Sequence, residues 1–240
     1  MDFFSSLLME KWNPATYDSW YKTPLGKISH RLEKNLLFSL LDVKKGEKAL
    51  DLGCGTGIYS IELAKKGAHV VGVDSSLDML GFANAMSIKQ RRRPSFIRAD
   101  AKRLPFKDSS FDIIVSVCSL CFIKNPLASL KEAARVLMPG GRLVAAILNK
   151  NSPWAVIRRA KGLFMDTVYS KAHFMSPAKL EKLLADAEFR VIDVKTCLFF
   201  LPIDSRAYLK KATVFEKLGK TALKNTGAFV AASAVKKNTK

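Results

Sequence analysis

The residues most suited to chemistry lie in a run of ten, KALDLGCGTG, at positions 48–57. A short apolar segment there contains an acid, Asp51, and leads into glycines at alternate positions, Gly53, Gly55 and Gly57. An amphipathic segment with helical spacing follows, so the sequence predicts a strand, a tight turn and a helix. Glycines permit positive φ angles and let a ligand approach the backbone without an intervening Cβ. The turn is therefore a candidate binding loop.

The spacing of these glycines distinguishes two kinds of nucleotide-binding loop. A dinucleotide-binding loop reads G-x-G-x-x-G and places a pyrophosphate at a helix N-terminus. Here the pattern is G-x-G-x-G, and Asp51 precedes it. A carboxylate in that position repels phosphate and suits a ligand that carries an amino group. The next apolar run ends at Asp74, where nucleotide-binding βαβ units place the acid that meets the ribose hydroxyls.

A third acid follows the next predicted strand, which covers residues 95–99. Asp100 and Ala101 end that strand, and a Leu-Pro-Phe segment follows at 104–106. Ligands of open α/β sheets bind at the carboxyl ends of the strands. We therefore expect the acids at three successive strand ends to converge on one site.

These motifs resemble those of the class I S-adenosylmethionine (SAM)-dependent methyltransferases. The matching segments are DLGCGTG at 51–57, GVD at 72–74, FDIIVS at 111–116 and EAARVLMPGGRL at 132–143. The last is typical of the type 11 branch, which is similar to the enzymes of ubiquinone and menaquinone biosynthesis. The resemblance is specific over residues 17–148. It implies a Rossmann-like α/β sheet of seven strands in the order 3-2-1-4-5-7-6, with the last strand antiparallel and a small helical cap.

The resemblance also implies SAM as cofactor and assigns residues to it. In the family pattern, Asp100 accepts a hydrogen bond from the adenine amino group, and Met79 flanks the ring. The implied cofactor-binding residues are Tyr17, Tyr21, Asp51, Gly53, Cys54, Gly55, Gly57, Asp74, Ser75, Met79, Asp100, Ala101 and Ser116. No catalytic residue is assigned, because the methyl group of a sulfonium is already activated and the protein mainly supplies alignment and desolvation.

Four further residues are candidates for the pocket of the methyl acceptor: Trp20, Cys121, Asn149 and His173. Trp20 lies in the segment YDSWY at 17–21, which resembles a family segment over the methionine end of the cofactor, although clustered aromatic residues are often simply core. His173 has a pKa range that suits a general base, but a lone histidine is more often structural. Cys118 and Cys121 form a single C-x-x-C, and a structural zinc site needs four ligands, so no metal is predicted.

The 240 residues are expected to form a single methyltransferase domain with four parts. These are a helical cap segment at 1–45, a SAM-binding core at 46–148, a cap insertion at 149–176 and the rest of the sheet at 177–240. The four cysteines have no disulfide-like spacing, and the start of the chain lacks a basic leader, so the predicted location is cytoplasmic. The longest apolar stretch is too short to span a bilayer.

The net charge of +19 suggests an anionic partner, although a solubilising surface explains it equally well. The last third of the chain is the more basic part. Together with the apolar residues Phe3, Phe4, Leu7 and Leu8, this composition suits peripheral contact with an anionic membrane. Three arginines at 91–93 read as a solvated loop.

Three functions remain open at this stage. The first is a methyltransferase for a small molecule or lipid, which the type 11 resemblance favours. The second is an RNA-modifying methyltransferase, which only the charge suggests, since the sequence has no recognisable RNA-binding appendage. The third is a SAM-binding module without catalysis, or a protein-methylating partner. The quinone-methylating enzymes carry F-G-x-R-N after strand four, whereas this chain has CSLCF at 118–122, which argues against a quinone. The methyl acceptor and the oligomeric state cannot be predicted.

Overall fold

A computed structural model describes residues 13–91, 93–164 and 167–237 of the chain. The apolar residues of the first dozen positions, which the membrane hypothesis uses, lie outside these ranges. The strands are β1 (Lys48–Leu52), β2 (His69–Asp74), β3 (Ser95–Arg98), β4 (Phe111–Val117), β5 (Leu137–Leu148), β6 (Phe189–Cys197) and β7 (Phe229–Lys236).

These strands form a single sheet in the order β3-β2-β1-β4-β5-β7-β6. Strands β3, β2, β1, β4 and β5 run parallel, and β7 runs antiparallel to both β5 and β6. The predicted strand order and the antiparallel last strand are confirmed. Because β1, β2 and β4 are neighbours and parallel, their carboxyl ends open at one edge of the sheet.

Helices surround the sheet. They are α1 (Pro14–Trp20), α2 (Pro24–Leu40), α3 (Ile58–Lys65), α4 (Leu77–Lys89), α5 (Pro126–Val136), α6 (Pro153–Gly162), α7 (Pro177–Asp186), α8 (Arg206–Leu209) and α9 (Ala212–Ala222), with 3₁₀ turns at Ser119–Cys121 and Val168–Lys171. Five of the helices begin with proline after a capping Asn, Thr or Ser, a pairing that satisfies exposed N–H groups and pre-sets the helical φ. Ser76 caps α4 by accepting a hydrogen bond from the Met79 N–H.

The sheet is covered by apolar side chains on both faces, as the period of two along each strand requires. Leu50, Leu52 and Ile114 belong to one buried cluster. Ala49 and Ile113 belong to the other, together with residues of α2. Among the described helices, none is long and apolar enough to cross a bilayer.

The fifth strand begins earlier than the sequence predicts. The spacing of apolar residues predicts a helix over 126–137, ended by the Met-Pro-Gly-Gly segment, and a strand over 142–148, whereas β5 already starts at Leu137, opposite Phe111. The register then shifts, so that Arg142 lies opposite Ile113. Gly140 has a φ of +72° and lets the strand bulge at this point without breaking its pairing.

The sixth strand and the helix after it differ from what the sequence pattern predicts. The apolar run over 189–201 predicts a strand of that length, whereas β6 ends at Cys197 because Leu198 takes a left-handed φ of +66°. The pattern also predicts one lysine-rich helix near 205–218, and the structure has two helices there, α8 and α9.

The two N-terminal helices build the cap over the sheet edge. Helix α1 packs on α4, and α2 packs on β5, β6, β7 and α8. The Leu25 N–H donates a hydrogen bond to Asp204 at 3.0 Å, which ties the start of α2 to the chain before α8. Helix α6 packs against the 3₁₀ turn at Val168–Lys171. Residues of α1, α2 and α6 line a cavity at the carboxyl ends of the strands.

Candidate functional site

A cavity of about 480 Å³ lies at the carboxyl ends of β1, β2 and β4, within the size range of small-molecule sites. The cap segments around α1 and α6 contribute to its walls. Twelve of the predicted residues line it: Tyr17, Trp20, Tyr21, Asp51, Gly53, Cys54, Gly55, Asp74, Ser75, Met79, Asp100 and Ala101. The structure therefore brings the three strand-end acids to one cavity.

The glycine loop forms the floor of this cavity. The N–H groups of Gly53 and Cys54 both donate to the Val73 carbonyl, at 2.8 and 2.9 Å. A Cβ on Gly53 would lie 2.3 Å from the Ser119 Cβ, so this glycine is required by packing. A Cβ on Gly55 would meet no heavy atom within 4 Å, and Gly55 lines the cavity. The space beside Gly55 is therefore open to a ligand and is not filled by packed side chains.

Asp51 is a buried acid whose carboxylate is bonded by Ser60. Its side chain is 2% exposed, and its Oδ2 accepts a hydrogen bond from the Ser60 hydroxyl at 2.6 Å. Burial raises the pKa of Asp51 to about 7 against the effect of Ser60, and the nearby Asp74 carboxylate adds to the rise. A cationic ligand group beside Asp51 would restore its charge.

The other two acids differ in their surroundings. Asp74 accepts hydrogen bonds from the N–H groups of Gly55 and Ser76, at 2.9 and 3.0 Å, so it holds the loop and the start of α4. Asp100 is exposed and pairs with Lys102 through the backbone N–H at 2.9 Å and the ammonium at 3.3 Å. Hydrogen bonding to the Lys102 N–H, in particular, lowers the pKa of Asp100.

Aromatic side chains of the cap cover the cavity. The hydroxyls of Tyr17 and Tyr21 lie 2.9 Å apart, and the rings meet edge to face with centroids separated by 5.4 Å. Tyr21 also meets Trp20 edge to face at 5.0 Å. Tyr59, on α3, lines the same wall and is 7% exposed. These rings give the covered part of the cavity an apolar wall with hydroxyl groups at its edge.

Five predicted residues lie outside the cavity lining, which is drawn from the described residues. Gly57 packs against Ala83 and Phe96, and Ser116 is buried with its Oγ 2.7 Å from that of Ser119.

The other three are acceptor candidates with structural contacts. The Asn149 Nδ2 donates to the carbonyls of Asn225 and Gly227, both at 2.8 Å. Cys121 is fully buried, and its Sγ accepts from the Leu148 N–H. His173 has an exposed side chain, and its backbone N–H binds the Cys121 carbonyl at 2.7 Å.

Sequence reasoning did not single out several residues that line the cavity, above all Glu33 and Arg158. Glu33 lies on α2, beside the positions that carry its apolar face. Arg158 follows the buried Trp154 by four positions on α6, the spacing of a shared helix face. A charged residue among the apolar positions of a helix face is the signal that could have identified Glu33 and Arg158 from the sequence. Cys118, whose φ is +59°, also lines the cavity.

Among residues 13–91, 93–164 and 167–237, no three His, Cys, Asp or Glu side chains are grouped as a metal site would require. The four cysteines are free thiols. Burial raises the pKa of Cys118, and that of Cys121 to about 12. Both thiols therefore stay protonated at neutral pH.

Comparison with known proteins agrees with this geometry. Residues 50–145 match a family model described as a methyltransferase domain. A SAM-dependent methyltransferase from Thermotoga maritima, described as a "possible histamine N-methyltransferase", has a solved structure that aligns with a TM-score of 0.71 and 25% identity. The alignment covers 93% of this chain and 95% of that structure.

These findings support a class I SAM-dependent methyltransferase. A demethylmenaquinone methyltransferase from Beutenbergia cavernae is 38% identical over 139 residues, which is 57% of this chain and 55% of that protein. An uncharacterized protein of Mycobacterium tuberculosis is 34% identical over 191 residues, 78% of this chain and 62% of the relative. The chain thus spans about 60% of the length of these curated relatives. The methyltransferase domain itself contains the glycine loop, Asp51, Asp74 and Asp100.

The residues that line the cavity fit SAM, the cofactor that the methyltransferase domain implies. SAM carries an amino group, ribose hydroxyls and an adenine ring, and the cavity offers Asp51, Asp74 and Asp100 to receive them. The space over Gly55, where a Cβ would meet nothing, accommodates a ligand close to the loop. An acid-rich floor is unsuited to a pyrophosphate, in agreement with the expectation from the loop sequence.

Proposed function

We propose that this protein transfers a methyl group from SAM to a small-molecule or lipid acceptor. The observation that carries the proposal is the cavity in which Asp51, Asp74 and Asp100 meet the open side of Gly55 beneath the aromatic cap. Enzymes of this family are alike in the cofactor and differ in the acceptor, so the cap is the part that selects the acceptor.

Each acid has a distinct role in this proposal. Asp51 pairs with the amino group of the cofactor, because a buried carboxylate bonded by a single neutral residue, Ser60, favours a cation. Asp74 accepts the ribose hydroxyls, and Asp100 and Ala101 receive the adenine. The sulfonium of SAM supplies a methyl group that is already activated. The protein residues align the acceptor with it and exclude water.

A small acceptor is favoured over a nucleic acid by the walls of the cavity. Tyr17, Trp20 and Tyr21 from one cap segment and Tyr169 from the other line it together with the floor acids. The demethylmenaquinone methyltransferases among the relatives add weight to a small, apolar acceptor. The segment CSLCF at 118–122 still argues against a quinone itself, since it replaces the F-G-x-R-N of the quinone-methylating enzymes.

We further propose a cytoplasmic location, with reversible contact to anionic membranes if the acceptor is a lipid. The positive charge of the chain is the basis for this, since basic surfaces bind anionic lipids. Co-sedimentation with vesicles of phosphatidylserine that is lost at high salt is the expected result. Sedimentation that salt does not change would contradict an electrostatic contact.

Calorimetric titration tests the cofactor assignment. S-adenosylhomocysteine (SAH), the product form of the cofactor, is expected to bind with one site per chain, and Asp51→Asn is expected to weaken it. NAD⁺, which carries a pyrophosphate, is expected not to bind. Binding of NAD⁺ without binding of SAH would overturn the proposal.

A further inference from the structure

Arg158 is a buried cation that forms no ion pair with any acid of the described residues. Its side chain is 7% exposed and lines the cavity. The guanidinium carbon lies 4.1 Å from the centre of the Tyr169 ring and 4.8 Å from that of Trp154. Among the described residues, no group forms a hydrogen bond with the Arg158 Nε. No carboxylate oxygen of these residues lies within 4.0 Å of a guanidinium nitrogen, the distance of an ion pair. The aromatic rings hold the guanidinium in place but do not neutralise it.

A charge in this position is costly unless a ligand compensates it. Burying an ionised group without a partner is strongly unfavourable, and proteins normally pair such groups. Cation–π contacts offset only part of this cost and leave the N–H donors unused. Arginine offers its donors in a planar fork that matches a carboxylate or a phosphate. The arrangement is therefore suited to an anionic group that enters the cavity.

Glu33 is an acid whose pKa the charge of Arg158 influences, but the two side chains do not form an ion pair. The Glu33 Oε2 accepts a hydrogen bond from the Tyr59 hydroxyl at 3.4 Å rather than from Arg158. Burial raises the pKa of Glu33 to about 7, although the positive charge of Arg158 acts in the opposite direction. At neutral pH, Glu33 therefore carries only part of a negative charge.

The acids proposed for the cofactor and the pair of Glu33 and Arg158 come from different parts of the fold. Asp51 and Asp74 lie on β1 and β2, beside the glycine loop. Glu33 lies on α2 and Arg158 on α6. The strands thus supply one set of charged groups to the cavity, and the helices that cover it supply the other.

We propose that Arg158 binds an anionic group of the methyl acceptor, so that the acceptor is a small acid whose apolar body lies against the tyrosines of the cap. The inference rests on the proposed function, because it takes the strand-end acids to hold the cofactor. Carboxylate and phosphate share the chemistry that Arg158 recognises. Glu33 also lines the cavity and can accept a hydrogen bond from a hydroxyl or amine of the same molecule.

The test uses three probes of similar shape on the full chain saturated with SAH: benzoate, phenyl phosphate and neutral benzamide. At least one anion is expected to bind about tenfold or more tightly than benzamide, the effect of a charge-assisted hydrogen bond. The anion that binds more tightly identifies the acid as a carboxylate or a phosphate. Equal binding of all three probes would overturn the inference without using any variant.

Variants of two neighbouring arginines provide the matched comparison. Arg158→Gln is expected to abolish the preference for anions, and Arg158→Lys to retain it with weaker binding. Arg159→Gln is the control, because Arg159 is exposed and its guanidinium lies over Phe174. Thermal unfolding of each variant shows whether it is folded. A preference that survives in a folded Arg158→Gln would overturn the inference.

A second arm separates the acceptor from the carboxylate of the cofactor. SAH carries that carboxylate, whereas 5′-methylthioadenosine lacks it. Arg158→Gln is expected to bind both with the affinity of the wild type. If it binds SAH about tenfold more weakly and methylthioadenosine normally, Arg158 holds the cofactor and the inference is wrong. Absence of SAH binding to the wild type would overturn the proposed function as well, which distinguishes the two failures.

Discussion

The backbone N–H of Gly55, in the loop after β1, donates a hydrogen bond at 2.9 Å to the Oδ2 of Asp74, the last residue of β2. The other oxygen of the same carboxylate binds the Ser76 N–H at 3.0 Å and so holds the start of α4. Asp74 therefore shapes the glycine loop and lines the cavity at the same time. Loop geometry and cofactor binding should respond together when this residue is changed.

Replacing Asp74 by alanine is expected to lower the free energy of unfolding by about 1–3 kcal/mol, because two backbone N–H groups lose their partner. The affinity for SAH should fall by about tenfold or more, since the proposed acceptor of the ribose hydroxyls is lost as well. Chemical denaturation and calorimetry measure the two effects. Asp78→Ala, on the exposed first turn of α4, is the control and should leave SAH binding unchanged.

Two glycines allow the role of the loop to be separated from backbone strain. Gly55 and Gly140 have φ angles of +52° and +72°, and neither has an atom within 4 Å of an added Cβ. Alanine at either position should cost about 1–2 kcal/mol of stability, the penalty for a left-handed residue with a side chain. Only Gly55→Ala should weaken SAH binding, because only its methyl group enters the cavity. Equal affinities for SAH in the two variants would show that the space over Gly55 is not the cofactor site.

The pKa of Asp51 predicts how cofactor binding depends on pH. With a pKa of about 7 in the free protein, Asp51 must lose a proton before it can pair with an ammonium group below that pH. The affinity for SAH is therefore expected to fall as the pH is lowered from 7 to 5, approaching tenfold per pH unit. Calorimetry across this range measures it. Asp51→Asn should bind weakly at pH 7 and show a much flatter profile, and an unchanged slope would assign the titration to another group.

The raised pKa of Glu33 predicts how the stability of the ligand-free protein depends on pH. Its folded pKa of about 7 lies above the ordinary 4.5, so the folded protein binds the proton more tightly than the unfolded chain. The free energy of unfolding should then fall as the pH rises from about 4.5 through 7. Glu33→Gln removes this loss and should stabilise the protein by about 1–2 kcal/mol at pH 8, with little gain at pH 5.

Chemical denaturation at the two pH values tests this prediction. Glu181→Gln, at an exposed position of α7, is the matched control and should change stability equally at both pH values. A Glu33→Gln variant that is less stable than the wild type at pH 8 would show that the carboxylate is stabilising where it lies. The Tyr59 hydroxyl can still donate to the amide oxygen of the glutamine, so no buried donor is lost.

The floor of the site could be predicted from the sequence because its residues follow local rules. Asp51 and Asp74 each stand at the end of an apolar run, and neighbouring parallel strands end at the same edge of a sheet. The order of the strands came from the resemblance to the family, since an alternating pattern of strands and helices fixes only the α/β class. The bulge at Gly140 was missed because Pro-Gly-Gly also ends helices.

The proposed acceptor site could not be predicted, because it depends on contacts between distant segments. Glu33 and Arg158 come from two cap helices 125 positions apart, and no local pattern places them at one cavity. Asn149 directly follows β5, a position where ligand-binding residues are common, but its side-chain amide donates to backbone carbonyls of the loop before β7. His173 suits a general base by type alone, and its side chain is exposed.

Methyl transfer from radiolabelled SAM tests the central proposal most directly. The full chain is incubated with a cell extract, which is then separated into small-metabolite, lipid, RNA and protein fractions, with Asp51→Asn as the control. We expect label in the small-metabolite or lipid fraction with the wild type and little with the variant. Label confined to RNA or protein, or no label together with no thermal stabilisation by SAH, would contradict the proposed function.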